Sequence, residues 1–280
     1  MNIWIMDSNS GVTLLYNPYK EFSVNEDLVS GLLTALNQFT VVEFKQGIES
    51  IEMGGLRWVY LSDEISNLLF IAADDKSVSS DLISARLNVI KHSFIEEYVK
   101  NEEYWKAHWF GNTDTFVPFK NVIDEYYNQW LTAERVKDIA EFFDILGIFQ
   151  QILNLLQNVI ENHLTLVKKN TIFTKIEKMF DNYANNPYVQ SQEELRKINF
   201  SPTSGVNIIS INPSNCDMMI VEKQIINLIK RIVDLIKEYV DPVSFIDYLR
   251  QENVYNYILN NFTLIKELDL DAFLLQLFIG

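Results

Sequence analysis

The stretch GIESIEMGGLRWVYLSDEISNLLFIAADD, Gly47 to Asp75, decides how the first part of this chain is read. Gly54-Gly55 supplies the two positive φ angles that a two-residue hairpin turn requires. After it, LRWVYLS reads as one strand, DEISN turns the chain, and Leu68 to Ala73 forms a second, continuously apolar strand. A strand apolar on both sides is one covered on both faces. Before the glycines, residues 43–53 carry Glu43, Lys45, Glu49 and Glu52. Such charges suit an edge strand, where they discourage unwanted pairing, and Gly47 is a candidate bulge within it.

Working outward, NIWIM and VTLLY flank the turn-forming DSNSG and predict a hairpin at the N-terminus. NPYKEFSVNED follows as a loop ending in a helix N-cap near Asn25. From Asp27, Leu28, Val29, Leu32, Leu33, Leu36 and Phe39 recur as one amphipathic stripe. Gly31, poor in a helix interior, is read as a point of close approach to a sheet. A second helix beyond DDKSVSSD aligns Ile83, Leu87, Ile90, Phe94 and Tyr98. The order is β-β-α-β-β-β-α, with the runs at 3–6 and 68–73 central. The expected fold class is α+β, and residues 1–100 form a three-layer α-β-α domain with a five-stranded, mostly antiparallel sheet.

The remainder reads as helical. Residues 101–117 form a junction in which Tyr104, Trp105, Trp109 and Phe110 pin the two parts together, and a helical domain spans 118–280. A helix starts near Pro118. Val136, Ile139, Phe143, Leu146, Phe149, Leu153, Leu156, Ile160, His163 and Val167 then trace a near-heptad seam, enough for a helix of about 50 Å. Another helix runs through Ile172 to Phe180. Residues 184–216, with three of the six prolines, read as a long loop of the kind that is commonly functional or mobile, with room for a brief strand at VNIIS. DMMIVEKQIINLIKRIVDLIKEYV is the clearest helix, Asp241-Pro242 caps the next, and LDLDAFLLQLFIG is expected to pack on the bundle.

Bulk properties narrow the function. The net charge of −15 is spread along the chain, which argues against nucleic acid and anionic lipid as main partners. One cysteine, Cys216, fits a reducing cytoplasm. The start lacks a signal-peptide pattern and no uninterrupted apolar run approaches a transmembrane length, so no spanning segment is expected. His92, His108 and His163 show no metal-ligand spacing among themselves or with Cys216. No phosphate-binding glycine loop or nucleophile elbow occurs. No cofactor, metal or catalytic residue is assigned. Asp74 and Asp75 read as turn and cap before the second helix, His163 as a hydrogen-bonded core residue, and SPTSGVN as a plain loop.

IWIMDSNSGVTLLY, LVSGLLTAL and IESIEMGGLRWVYL…LLFIAADD together resemble a longin-type domain, over about residues 1–100. They are particularly similar to longin-like proteins of archaea rich in eukaryote-like small GTPases. The resemblance implies a dimerisation and docking platform for small GTPases in a trafficking-like system. Under it, the chain is a regulator or adaptor of a small Ras-like GTPase, not an enzyme. Association as a homodimer, or as a heterodimer with a longin or roadblock subunit, would run through the edge strand at Lys45, Glu49, Ile51 and Met53. Arg57, beside the Gly-Gly turn, is the one positional candidate for a GTPase contact, with an ordinary sheet-surface role as the competing reading. The alternatives are an enzyme using a cleft between the two parts and a purely structural scaffold subunit. Peripheral membrane contact is compatible with each.

Overall fold

The computed structural model describes residues 1–20 and 26–279, so the expected cap at Asn25 lies outside the described residues. The chain is α+β, and it divides into two compact units, Met1–Leu131 and Thr132–Gly280.

The first unit holds β1 (Asn2–Asp7), β2 (Thr13–Asn17), α1 (Glu26–Phe44), β3 (Ser50–Met53), β4 (Leu56–Asp63), β5 (Leu68–Asp75) and α2 (Ser80–Phe94). The strands form one sheet in the order β2-β1-β5-β4-β3, antiparallel throughout. Gly54 and Gly55, at φ +64° and +78°, make the turn between β3 and β4. The two-residue periodicity of strands then sorts the side chains between two faces. Ile3, Ile5, Val59, Leu68, Phe70 and Ala72 pack with Ile83, Leu87, Ile90 and Phe94 of α2. Trp4, Met6, Trp58, Tyr60, Leu69, Ile71 and Ala73 pack on the opposite face with Leu33 of α1. One helix per face of a central apolar sheet is the three-layer arrangement expected.

Four expectations need correction. The charged strand does not span 43–53, because α1 continues to Phe44 and Lys45 ends it in a left-handed conformation, φ +58°. Only four residues can pair with β4 before the chain turns away, the last ladder bond being Tyr60 N–H to the Glu49 carbonyl at 3.0 Å. Gly47 is therefore no bulge, and Gly31 makes no close approach, since a Cβ there would meet nothing within 4 Å. Finally, the first unit does not stop near residue 100. A π-helical turn, Ile95–Val99, leads into α3 (Glu102–His108), and Trp105, Phe116, Phe119 and Ile123 join the α2-side core. Trp105 donates its indole N–H to the Ser66 carbonyl at 3.1 Å and stacks with Trp109. These tryptophans thus pack into the first unit's own core.

α4 (Phe119–His163) is one 45-residue helix, contributing to the first unit up to Leu131 and to the second from Thr132. Phe119 and Ile123 are buried in the first unit, and in the second unit its buried seam begins at Phe142; Val136 and Phe143 are exposed, and Val167 lies exposed on the next helix. α5 (Leu166–Ala184), the short α6 (Pro187–Ser191) and α7 (Met218–Lys237) follow, then α8 (Pro242–Gln251), α9 (Val254–Asn260), α10 (Phe262–Glu267) and α11 (Asp271–Ile279). Asp217 and Asp241 cap α7 and α8 through the N–H groups of Ile220 and Ser244. Leu270, Leu274, Leu277 and Phe278 are buried in the common core, as expected for the C-terminal stretch.

The segment 184–216 is not the loose loop its composition suggests. It carries a hairpin of β6 (Asn199–Ser201) and β7 (Gly205–Asn207), and Leu195, Ile198, Val206, Ile208 and Ile211 are buried in the bundle core. The Gln150 amide of α4 docks it, donating to the Val206 carbonyl at 2.7 Å and accepting from Ile208 N–H at 2.9 Å. One side chain thereby satisfies two backbone groups as a neighbouring strand would.

Candidate interaction surface

α1 turns a mixed apolar and polar face to the sheet, with Leu33 fully buried and Val29 packed beside it. Ser30, Thr34 and Asn37, at i, i+4 and i+7, are buried together with Leu33 against the sheet. Leu32, Phe39, Val41, Val42 and Phe44 are between 46% and 69% exposed. The single apolar stripe expected from the sequence is thus split: Leu33 points inward, whereas Leu32 and Phe39 point outward. Soluble helices ordinarily do the reverse.

The inner side carries a polar cost. Thr34 Oγ1 and Tyr60 OH are buried and have no hydrogen-bond partner among the described residues. Burial of the Tyr60 ring pushes its hydroxyl pKa up. Asn37 is better placed, accepting a long 3.4 Å bond from Ile48 N–H. Gln38 ties the helix to the first hairpin, donating to the Ser8 carbonyl at 2.7 Å and to the Asn9 carbonyl at 3.1 Å.

β3 is an edge strand of the sheet, as expected. Its residues serve different ends from those anticipated. Ile51 and Met53 lie opposite Trp58 and Leu56 and pack on the α1-side core, so they are half-buried within their own unit. Glu49 lies just before the strand and is exposed, and Lys45 sits in the turn after α1, outside the strand. Arg57 projects to the other face, where its guanidinium donates to Glu52 at 2.5 Å and to the Val78 carbonyl. The sheet-surface reading of Arg57 describes this geometry.

Other groups singled out by sequence are engaged locally. Asp74 is buried and accepts from Lys20 Nζ at 2.6 Å and from Asp75 N–H at 2.8 Å. Burial alone would raise its pKa, but the Lys20 and Asp75 bonds outweigh it and hold the carboxyl below the usual range. Asp75 forms the turn through Ser77, while Ser79 caps α2. His163 bonds Glu252 at 2.8 Å and stacks on Tyr248. Cys216 is half-buried, its thiol pushed up by burial and by the nearby Glu194 and Asp217 charges. No group of three or more His, Cys, Asp or Glu able to hold a metal occurs among the described residues.

Each unit carries an open depression among its described residues. A cleft of about 690 Å³ lies between the first hairpin and the N-terminal half of α1, lined by Ser10, Thr13, Ser30, Thr34, Gln38 and Thr113 among others, none charged. A groove of about 410 Å³ between α5 and α7 sets Lys178 and Arg231 beside a Lys175–Glu238 pair. Among the described residues, Thr113–His163 is long and apolar enough to cross a membrane by length and composition; 39% of its most apolar window is buried inside the protein. A core helix passes the same test.

No protein-family model matches the chain, and no curated protein matches its sequence.

Proposed function

We propose that the chain is a non-enzymatic docking platform of longin-like type that binds a small Ras-like GTPase and biases its nucleotide state. The observation that carries this reading is the outward-turned apolar face of α1, set next to an edge strand in an α-β-α unit. Large apolar side chains left exposed on one helix are surface that a partner can cover. The resemblance of residues 1–100 to longin domains supplies the class of partner.

Such a regulator works by differential affinity, because a ligand that binds two states equally shifts nothing. An exchange promoter prefers the nucleotide-free GTPase, and an effector prefers the GTP form. Arg57 would have to abandon its bonds to Glu52 and Val78 to reach a phosphate, so a role as an arginine finger is disfavoured. The test is to follow fluorescent GDP release and single-turnover GTP hydrolysis across the small GTPases of the source organism. Accelerated release, or GTP-selective binding, is expected with the wild type and unchanged in Arg57→Ala. Accelerated hydrolysis abolished by Arg57→Ala would replace this reading with the finger mechanism.

A further inference from the structure

The two faces of the five-stranded sheet are held by very different helices. α2 sets Ile83, Leu87, Ile90 and Phe94 into the core, all fully buried. Trp105, Phe116, Phe119 and Ile123 close the same side, and Lys91 of α2 donates to the Ser62 carbonyl at 2.6 Å. α1 contributes less. Among its described residues Leu33 is the one fully buried apolar side chain, with Val29 half-buried beside it. Ser30, Thr34 and Asn37 make up the rest of its buried side. Buried apolar area is the main source of packing stability, and buried polar groups return little of it. Thr34 Oγ1 gains no hydrogen bond by being there. The bonds that fasten α1 run to irregular backbone at its margins. Gln38 donates to the Ser8 and Asn9 carbonyls, and Asn37 accepts from Ile48 N–H at a long 3.4 Å. Water can replace each of them.

We infer that α1 is a releasable lid, a cooperative unit that lifts from the sheet while the strands and α2 stay folded. Sub-global opening is drawn from elements with few buried apolar contacts. At the C-terminal end of α1, Lys45 takes a left-handed conformation and residues 45–49 form a link without regular structure, on which the helix can swing. Beneath it, Trp4, Trp58, Tyr60, Leu69 and Ile71 belong to strands paired through their own backbones, so the ladder survives whether or not α1 is seated. Leu32, Phe39, Val42 and Phe44 are exposed already, and the outer side of the helix loses nothing on lifting. α2 cannot leave first, because its four buried side chains and the aromatic groups packed with them would have to separate together. Lifting α1 bares an aromatic sheet face, on which Trp4 stacks with Tyr16 and lies against Trp58. The first unit thus holds a shielded apolar face that a minor state makes available. The lid is a property of the fold alone and holds whatever partner the platform binds.

The test is native-state hydrogen exchange, read by mass spectrometry on the full-length chain at several low denaturant concentrations. Residues 29–44 are expected to exchange together, with one shared denaturant dependence, at least about a hundredfold faster than residues 80–94. Leu33→Ala should speed exchange of 29–44 by at least about tenfold and leave 80–94 unchanged. Thr34→Val keeps the side-chain shape and removes the unpartnered hydroxyl, so it should slow exchange of 29–44. Equal protection of the two helices, or acceleration of both alike by Leu33→Ala, would reveal one cooperative unit and overturn the inference. Exchange graded inward from the ends of α1 without denaturant dependence would be fraying, and would overturn it too. No GTPase enters this measurement, so the lid and the GTPase reading can fail separately.

Discussion

Tyr60 OH is a buried hydroxyl with no partner among the described residues, beneath a helix that offers it none. An unmade hydrogen bond in the core costs the desolvation of the group without return. Tyr60→Phe is therefore expected to stabilise the first unit by about 1 kcal/mol, read from chemical denaturation. A loss of stability would show that the hydroxyl is satisfied. Glu194 is the opposite case. It is 2% exposed, yet accepts from Lys197 Nζ at 2.7 Å and from Asn212 N–H at 2.7 Å. Burial would raise its pKa, but these bonds outweigh burial and lower it. A carboxyl whose folded pKa is depressed contributes stability above its unfolded value, and that contribution fades as pH falls through the folded value. Glu194→Gln should thus cost about 1–3 kcal/mol at neutral pH, with the gap to wild type closing in acid. A gap that stays constant from neutral pH into acid would remove Glu194 from this account. Neither residue was legible in the sequence, where Tyr60 is one alternating strand residue and Glu194 one acid in a polar stretch.

At the scale of elements, strands were read more successfully than helix faces. The Gly-Gly pair and the two apolar runs leave few other ways to pair, because a one-residue slip would move every side chain to the wrong face. The α1 sequence supports two stripes. Apolar residues at 28, 29, 32, 33, 36 and 39 dominate any periodicity count, yet Ser30, Thr34 and Asn37 turn inward with Leu33, while Leu32 and Phe39 turn outward. Tertiary packing, not local pattern, chose between them. The 184–216 segment has a genuine turn-forming composition, but Gln150 and a set of isolated Ile and Val residues fix it to the bundle. Limited proteolysis at low protease is accordingly expected to spare the Asn199–Asn207 hairpin under native conditions. Early cleavage there, ahead of other sites, would show that the docking is weak.

For the whole molecule, the division at Leu131 changes what an isolated first unit must contain. Trp105, Phe116, Phe119 and Ile123 close the α2 side of the sheet, and Phe94 touches both Phe116 and Phe119. Truncation at residue 100 removes several large side chains from one core, each loss comparable to about 3–5 kcal/mol for a buried aromatic. Fragment 1–131 should unfold cooperatively in thermal circular dichroism, whereas fragment 1–100 should not. Cooperative unfolding of both would return the boundary to residue 100. The sequence announced an aromatic-rich junction, but not which core it would enter, since aromatic side chains carry no address of their own.

The central claim is that the first unit acts by docking a partner on the outer face of α1. The most direct measurement is equilibrium binding of the source organism's small GTPases in their GDP, GTP-analogue and nucleotide-free states, comparing wild type with Phe39→Asp and with Leu275→Asp. The account expects state-selective binding by wild type and Leu275→Asp, reduced at least about tenfold, or 1.4 kcal/mol, in Phe39→Asp. Binding that survives Phe39→Asp undiminished, or no binding in any nucleotide state, would contradict it.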